Sequence, residues 1–240
     1  HGNVDMHRAL RESCDVYFYE ISRRTGIGAI ATMARRLGHG QIYDCGMSQQ
    51  KRGVVPDSDW KRSRFNRPWL GGETLLAGIG QGYVLSTPLQ LAVMMARLAT
   101  GRAITPTFVR PEPGDPKREM PPLGIRQDWI NAMRRGLHAV VNEQGGTGSK
   151  SRPDDDSFTV AGKTGTSQVS RFSSEASQFE LKWELRDHAL FTAYAPSERP
   201  KYAISTIVEH GGGGGSTAAP LAKDLLVEVM SRDPIAKPAY

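Results

Sequence analysis

Apolar positions recur with a helical period over the first two-thirds of the chain, then give way to a strand-like alternation. Met6 to Arg24 reads as broadly helical, with Gly26 closing it as a C′ residue. Ile30, Met33 and Leu37 mark one face of a short helix ending at Gly38. Residues 39–75 are rich in Gly, Pro and charge, show no clear period, and read as a long excursion. A well-signposted helix follows: Thr87 and Gln90 form a capping box, Pro88 takes the first helical position, and Gly101 ends it. Leu91, Met94, Met95 and Leu98 form its expected buried stripe. Pro-rich coil from Pro106 to Pro122 leads to a helix over 127–142, with Ile130, Met133, Leu137 and Val141 on one face and Gly145-Gly146 stopping it.

Strands are predicted over 158–163, 189–195 and 203–208, joined by connections suited to antiparallel pairing. Five glycines at 211–215 lead to Ser216, a good N-cap, and a last helix carrying Leu221, Leu225 and Val229. Helices, then strands, then a closing helix predict an α+β fold with one antiparallel sheet.

Composition narrows the class. The 240 residues suffice for one large domain or two small ones, and 38% hydrophobic with 23% charged residues fits an ordinary soluble globular protein. No segment approaches the roughly 20 apolar residues that span a bilayer. His1-Gly2-Asn3-Val4-Asp5 lacks the basic and apolar regions of a signal peptide, so the chain reads as starting in mid-domain. The net charge of +6 is scattered, with one denser patch at Lys61, Arg62, Arg64 and Arg67 that reads as a solvated loop. No nucleic-acid-binding motif accompanies it, so nucleic acid is not an expected partner. Cys14 and Cys45 could form one bridge, but nothing in their spacing requires it.

Two segments carry chemistry. Lys163-Thr164-Gly165-Thr166 ends the first strand, where a cation, two hydroxyls and a side-chain-free residue make a cradle for a carboxylate. An exposed strand of this kind can pair with an extended peptide and offer a backbone N–H to a developing oxyanion. Far upstream, Ser13 and Asp15 stand two apart. On a continuous helix they point to different sides; acting together, they require an interruption near Cys14, with a second helix from Val16. Either residue could instead simply cap that second helix.

As a set, Ser-x-Asp followed some 150 residues later by Lys-Thr-Gly-Thr resembles the serine acyltransferases that recognise penicillin. Residues Ala9-Leu10-Arg11-Glu12-Ser13-Cys14-Asp15-Val16-Tyr17-Phe18-Tyr19 resemble the second-motif region of the elongation-type class B penicillin-binding proteins. So do Gly78-Ile79-Gly80-Gln81-Gly82-Tyr83, Ala161 to Gln168, Asp187-His188-Ala189 and Glu209-His210. The resemblance implies the penicillin-binding-protein/β-lactamase fold, with 1–240 the C-terminal portion of a single transpeptidase domain. The family's nucleophilic Ser-x-x-Lys is missing ahead of Ser13. Ser48-Gln49-Gln50-Lys51 and Ser58-Asp59-Trp60-Lys61 have that spacing, but they follow the Ser-x-Asp triplet and lie in Gly/Pro-flanked coil. They read as decoys.

By resemblance, Ser13 relays a proton to the leaving amine, and Asp15, where many relatives carry Asn, pairs with the lysine of the missing motif. Lys163 attracts the substrate's terminal carboxylate, Thr164 and Thr166 offer it hydroxyls, and Gly165 lets the donor peptide approach. The Thr166 backbone N–H supplies half of an oxyanion hole. The implied reaction is D,D-transpeptidation of D-alanyl-D-alanine stem peptides, with β-lactams as donor mimics. It needs no cofactor, because a serine and a polarising lysine perform acyl transfer themselves. Implied partners are a membrane glycosyl-polymerase and an elongation scaffold, at an envelope-facing site tethered to the inner membrane. A serine β-lactamase and a non-catalytic β-lactam sensor are the rival readings. Gly78-x-Gly80-x-Gly82 lacks the dinucleotide-binding spacing and reads as a tight start to the capped helix. His7, His188 and His210 show no metal-ligand spacing. His188 could border the cleft, and residues 39–75 and 170–186, including Ser173, Ser174, Glu175, Phe179 and Trp183, could flank it.

Overall fold

The computed structural model describes residues 1–109, 115, 120–155, 157–169 and 180–233. They fall into two compact units, His1–Met133 and Arg134–Tyr240. The first is helical: α1 (Met6–Glu12), α2 (Asp15–Thr25), α3 (Ile27–Leu37), α4 (Ser58–Phe65), α5 (Gly71–Gly78), α6 (Pro88–Thr100) and the start of α7 (Gln127–Asn142). The second holds the rest of α7, the strands β1 (Ala161–Ser167), β2 (His188–Ala195) and β3 (Tyr202–Val208), and the closing helix α8 (Ala219–Arg232). The α+β expectation holds, and no described helix is long and apolar enough to cross a membrane. Cys14 and Cys45 are buried free thiols.

Residues 39–75 are not the unstructured excursion expected from their sequence. They contain α4 and the start of α5. The Asp57 carboxylate caps α4 by accepting from the Trp60 N–H at 2.8 Å, and Asn66 ends it in the left-handed region. Neither helix shows an apolar stripe, because α4 is anchored by a charge. The buried Lys61 ammonium bonds the Glu73 carboxylate of α5, between the rings of Trp69 and Tyr83 at 6.0 Å each. The loop before α4 is pinned by Gln90, which is 1% exposed: its amide donates to Gln41 O at 2.7 Å and Arg52 O at 2.9 Å. The capping box on α6 is present as expected. Its buried face includes Val93, Met95 and Leu98, with Leu91 and Met94 only half-buried.

The glycines at 78, 80 and 82 do not open α6. Gly78 ends α5, and Gly80 and Gly82 turn the chain with φ of 77° and 71°. Gly78 is where α5 meets α2: a β-carbon there would collide with the Ser22 side chain.

In the second unit the sheet order is β1-β2-β3, antiparallel throughout. One face packs Ala189, Phe191, Ala193 and Ala195 against Ala218, Ala219, Ala222 and Leu226, with Val141, Phe158 and Val160 completing the core. Strand β1 begins later than its alternation predicts. Phe158 and Val160 are core residues outside the ladder, where the Asn142 side chain satisfies the Val160 carbonyl at 2.8 Å. Lys163 to Thr166 therefore occupy the middle of the strand rather than its end.

The closing helix also differs. Ser216 does not cap it; it lies in a π-type turn, Gly214–Ala218, and donates to Gly213 O at 3.0 Å. Leu221 and Leu225 face outward, 47% and 52% exposed, while Ala222 and Leu226 are inside. Alanines let the helix sit close on an alanine-rich sheet face, so a leucine stripe misreads which side is buried.

Candidate functional site

The helix from Met6 breaks where the pair of Ser13 and Asp15 requires it to. Ser13 adopts the left-handed conformation (φ 53°, ψ 57°), its N–H donating to Leu10 O, while the Cys14 N–H donates to Ala9 O at 2.9 Å. This is a Schellman-type stop with serine in the place usually taken by glycine. The left-handed region costs a residue with a β-carbon about 1–2 kcal/mol, and such strain collects at functional sites. Cys14, buried, is the N-cap of α2 without a side-chain cap bond, and Asp15 is its first residue. The N-cap position of α2 is held by Cys14, not by Ser13 or Asp15. Both are brought to one tight reversal, with Asp15 exposed at a helix N-terminus that favours negative charge.

On β1, Lys163, Gly165 and Ser167 pair with Thr192, Leu190 and His188 and share one face of the sheet; Thr164 and Thr166 point to the other. The outer edge of β1 has no partner strand among the described residues. The Lys163 ammonium reaches back to Thr164, 3.3 Å from its Oγ1 and 3.2 Å from its carbonyl oxygen. Thr164 Oγ1 also shares a 2.8 Å hydrogen bond with Thr147 Oγ1. A cation and hydroxyls thus converge at one point of an open strand edge, the donor set a carboxylate takes.

The glycines of this strand differ in what they are for. A β-carbon on Gly162 would lie 2.6 Å from the Phe191 ring and 2.8 Å from Ala193 Cβ, so packing demands glycine there. A β-carbon on Gly165 would meet only Leu190 Cβ, at an ordinary 3.4 Å. Nothing in the described packing requires Gly165 to lack a side chain. Its bareness leaves room for something that lies along the strand.

Ser58 to Lys61 is not coil: Ser58 is the first residue of α4 and Lys61 is buried one turn later. The arrangement has the form a Ser-x-x-Lys nucleophile needs, but Ser58 is exposed and Lys61 Nζ is engaged by Glu73. Burial raises the Glu73 carboxyl, yet Lys61 and the Leu70 N–H outweigh it and hold it below the ordinary range. Ser48 to Lys51 lies in loop, as expected.

Several contributors escape a sequence reading. Thr147 carries no motif, and only the fold brings it to Thr164. The glycine run is legible as a run, but not as the backing of β1: a β-carbon on Gly214 would collide with the carbonyl oxygens of Gly165 and Leu190. Asp187 belongs to a segment that carries the resemblance, but its contact is not legible there: 4% exposed, it accepts from the Val169 N–H at 3.1 Å, two residues past the strand. Of the expected flanking residues, Ser173, Ser174, Glu175 and Phe179 lie outside the described residues. Trp183 is half-exposed and stacks on His210, 4.3 Å between ring centroids. Ser13 and Asp15 belong to the first unit, and Lys163 to Thr166 to the second.

Known proteins resemble the chain along nearly its whole length. A family model for the penicillin binding protein transpeptidase domain matches residues 1–227. The peptidoglycan D,D-transpeptidase MrdA of Haemophilus influenzae is 37% identical over 239 residues, covering 94% of this chain and 36% of that protein. MrdA of Acinetobacter baumannii is 36% identical over 234 residues, covering 93% and 34%. PBP2 of Helicobacter pylori, in a complex with MreC, superposes with a TM-score of 0.85 at 34% identity, covering 97% of this chain and 41% of that one. Pseudomonas aeruginosa PBP2, in complex with WCK 5153, gives a TM-score of 0.78 at 33% identity, covering 94% and 49%. The chain therefore spans little more than a third of these curated relatives.

Proposed function

Because the chain belongs to the penicillin-binding protein transpeptidase domain family, we propose that it forms the later part of one peptidoglycan D,D-transpeptidase domain of the PBP2 type. The domain's nucleophilic serine would stand in a part of the protein outside these 240 residues. That serine attacks the D-alanyl-D-alanine carbonyl of a stem peptide, the terminal D-alanine leaves as an amine, and a neighbouring stem peptide's amine takes the acyl group. The structural observation carrying this reading is Gly165. It is bare without a packing reason, on an open strand edge beside the ammonium of Lys163.

The roles are those the family resemblance implies. Lys163 draws the terminal carboxylate to the strand, and the hydroxyls of Thr164 and Thr166 receive it. Gly165 admits the extended donor, and the Thr166 N–H faces the oxyanion, a donor whose removal typically costs a hundredfold or more in rate. Ser13, at its strained reversal, passes a proton to the departing amine, and Asp15 pairs with the lysine that accompanies the nucleophile. β-Lactams would acylate the same serine. The MreC complex of the H. pylori relative supports an elongation scaffold as a partner; a membrane glycosyl-polymerase and a periplasm-facing site at the inner membrane are what the family resemblance implies.

The test is covalent labelling of the full-length protein by a fluorescent penicillin, followed by peptide mapping. The expected adduct lies on a serine upstream of His1, and Lys163→Ala slows labelling with an unchanged melting temperature. An adduct on Ser58 or Ser48, or equal labelling of the Lys163→Ala protein, rejects the assignment. Rapid release of hydrolysed penicillin would select the β-lactamase reading instead.

A further inference from the structure

Asp187 and His188 form a dipeptide that ties together both segments bearing on the Lys163–Thr166 strand. Asp187 Oδ1 accepts from the Val169 N–H at 3.1 Å, holding the chain as it leaves β1. The Asp187 carbonyl accepts from the Gly212 N–H at 2.8 Å, and His188 Nδ1 accepts from the His210 N–H at 2.9 Å. These two bonds hold the start of the glycine run. A few residues on, the same run presses Gly214 onto the backbone of Gly165, with room for no β-carbon. Depth at Gly214 is thus linked to the bonds at Gly212 and His210 through a short, turn-rich segment. Thr217 shortens it further, its N–H donating to Gly213 O at 3.0 Å and its Oγ1 to Gly211 O at 2.8 Å.

The histidines are held in defined states. A backbone N–H can only donate, so His188 Nδ1 carries no proton and the neutral ring's proton sits on Nε2. A carbonyl can only accept, so His210 Nδ1 carries its proton toward Arg186 O at 3.0 Å. The two rings meet edge to face at 4.6 Å, and Trp183 covers His210. His210 itself has a left-handed φ of 54°, a conformation that persists only where the surroundings enforce it. The rings of Trp183 and His188 and the bonds to His188 Nδ1 and Arg186 O enforce it here.

We propose that Asp187 and His188 are positioning residues for acyl transfer. They fix how deeply the glycine run backs Gly165, and so where the Thr166 N–H stands relative to the acyl carbonyl. This rests on the transpeptidase reading. A displacement of about 1 Å at a reacting group can cost a hundredfold in rate. The atom that matters on His188 is Nδ1.

Three variants of the full-length protein test this: His188→Ala, His188→Asn, whose amide oxygen can take the place of Nδ1, and His188→Gln, whose amide extends toward the Nε2 position. Stopped-flow acylation by penicillin separates initial binding from the acylation step. The expected result is an acylation step slowed about 10- to 100-fold in the Ala and Gln proteins, with initial binding within about threefold. The Asn protein should recover to within about threefold of the parent. Equal acylation in all four proteins overturns the proposal, as does an equal loss in all three variants, which would mark a merely structural ring. Amide hydrogen exchange supplies an arm independent of chemistry: His188→Ala should lose protection over 163–169 and at Gly212, and His188→Asn should not. If penicillin fails to label the parent protein, the transpeptidase reading falls alone, and unchanged protection in His188→Ala overturns the positioning role.

Discussion

The α-carbon of Gly214 sits against the backbone of Gly165, so close that a β-carbon at 214 would also stand 3.0 Å from the Gly165 nitrogen. One glycine is bare because the fold needs it, the other because nothing in the fold fills it. The two alanine variants should therefore part ways. Gly214→Ala should cost about 1–3 kcal/mol of stability through overpacking and also slow acylation. Gly165→Ala should keep its melting temperature or gain slightly, since alanine is the less costly residue to order in a strand, yet acylate poorly. Calorimetry and penicillin labelling on the same samples check both.

Ser13 should show stability and activity moving in opposite directions. Its left-handed conformation is one glycine adopts freely. Ser13→Gly should stabilise the protein by about 1 kcal/mol and impair the acylation in which its hydroxyl takes part. Denaturant unfolding beside labelling kinetics is the measurement; a Ser13→Gly protein that acylates like the parent removes Ser13 from the mechanism.

The Lys61–Glu73 pair should behave as a buried ion pair. Lys61→Ala leaves the Glu73 carboxylate half-enclosed without its partner and should cost about 3 kcal/mol. The pH dependence has a defined sign. Because the folded Glu73 carboxyl titrates below the ordinary value, its contribution is present above about pH 4.3 and is lost as pH falls through the folded value. Acid unfolding of the parent should thus be steeper than that of a Lys61→Met/Glu73→Leu double variant.

His39 adds a second acid-sensitive step at higher pH. Burial, and then the charge of Arg97, lower its pKa. Its ring nitrogens lie 2.8 Å from Ser86 Oγ and 3.3 Å from Met94 Sδ. The folded state holds this proton less tightly than the unfolded chain, so stability should begin to fall as pH drops below about 6.5 and level off beneath the folded value. His39→Gln should flatten that part of the curve, as read by melting temperature from pH 7.5 to 5.

The sheet, α6 and α7 were legible because alternation, a capping box and a 3.6-residue period are all local signals. The motifs at Ser13, Asp15 and Lys163 to Thr166 were legible for the same reason: residue type and order survive without coordinates. Helix α4 was not. Its stabilising contact is an ammonium meeting a carboxylate 12 residues away, which no periodicity encodes. The buried side of α8 was misjudged because alanines against an alanine-rich sheet outrank leucines once helix and strand approach closely.

By itself, then, the amino-acid sequence determined which chemical groups this protein has to work with and the order of its elements, since side-chain identity and local propensity are properties of neighbouring residues. Only the tertiary structure decided that Thr147 would meet Thr164, and that a run of glycines, bonded at its start to an Asp-His dipeptide, would back Gly165. Those outcomes depend on contacts between residues tens of positions apart, whose energies exist only once the chain has closed on itself.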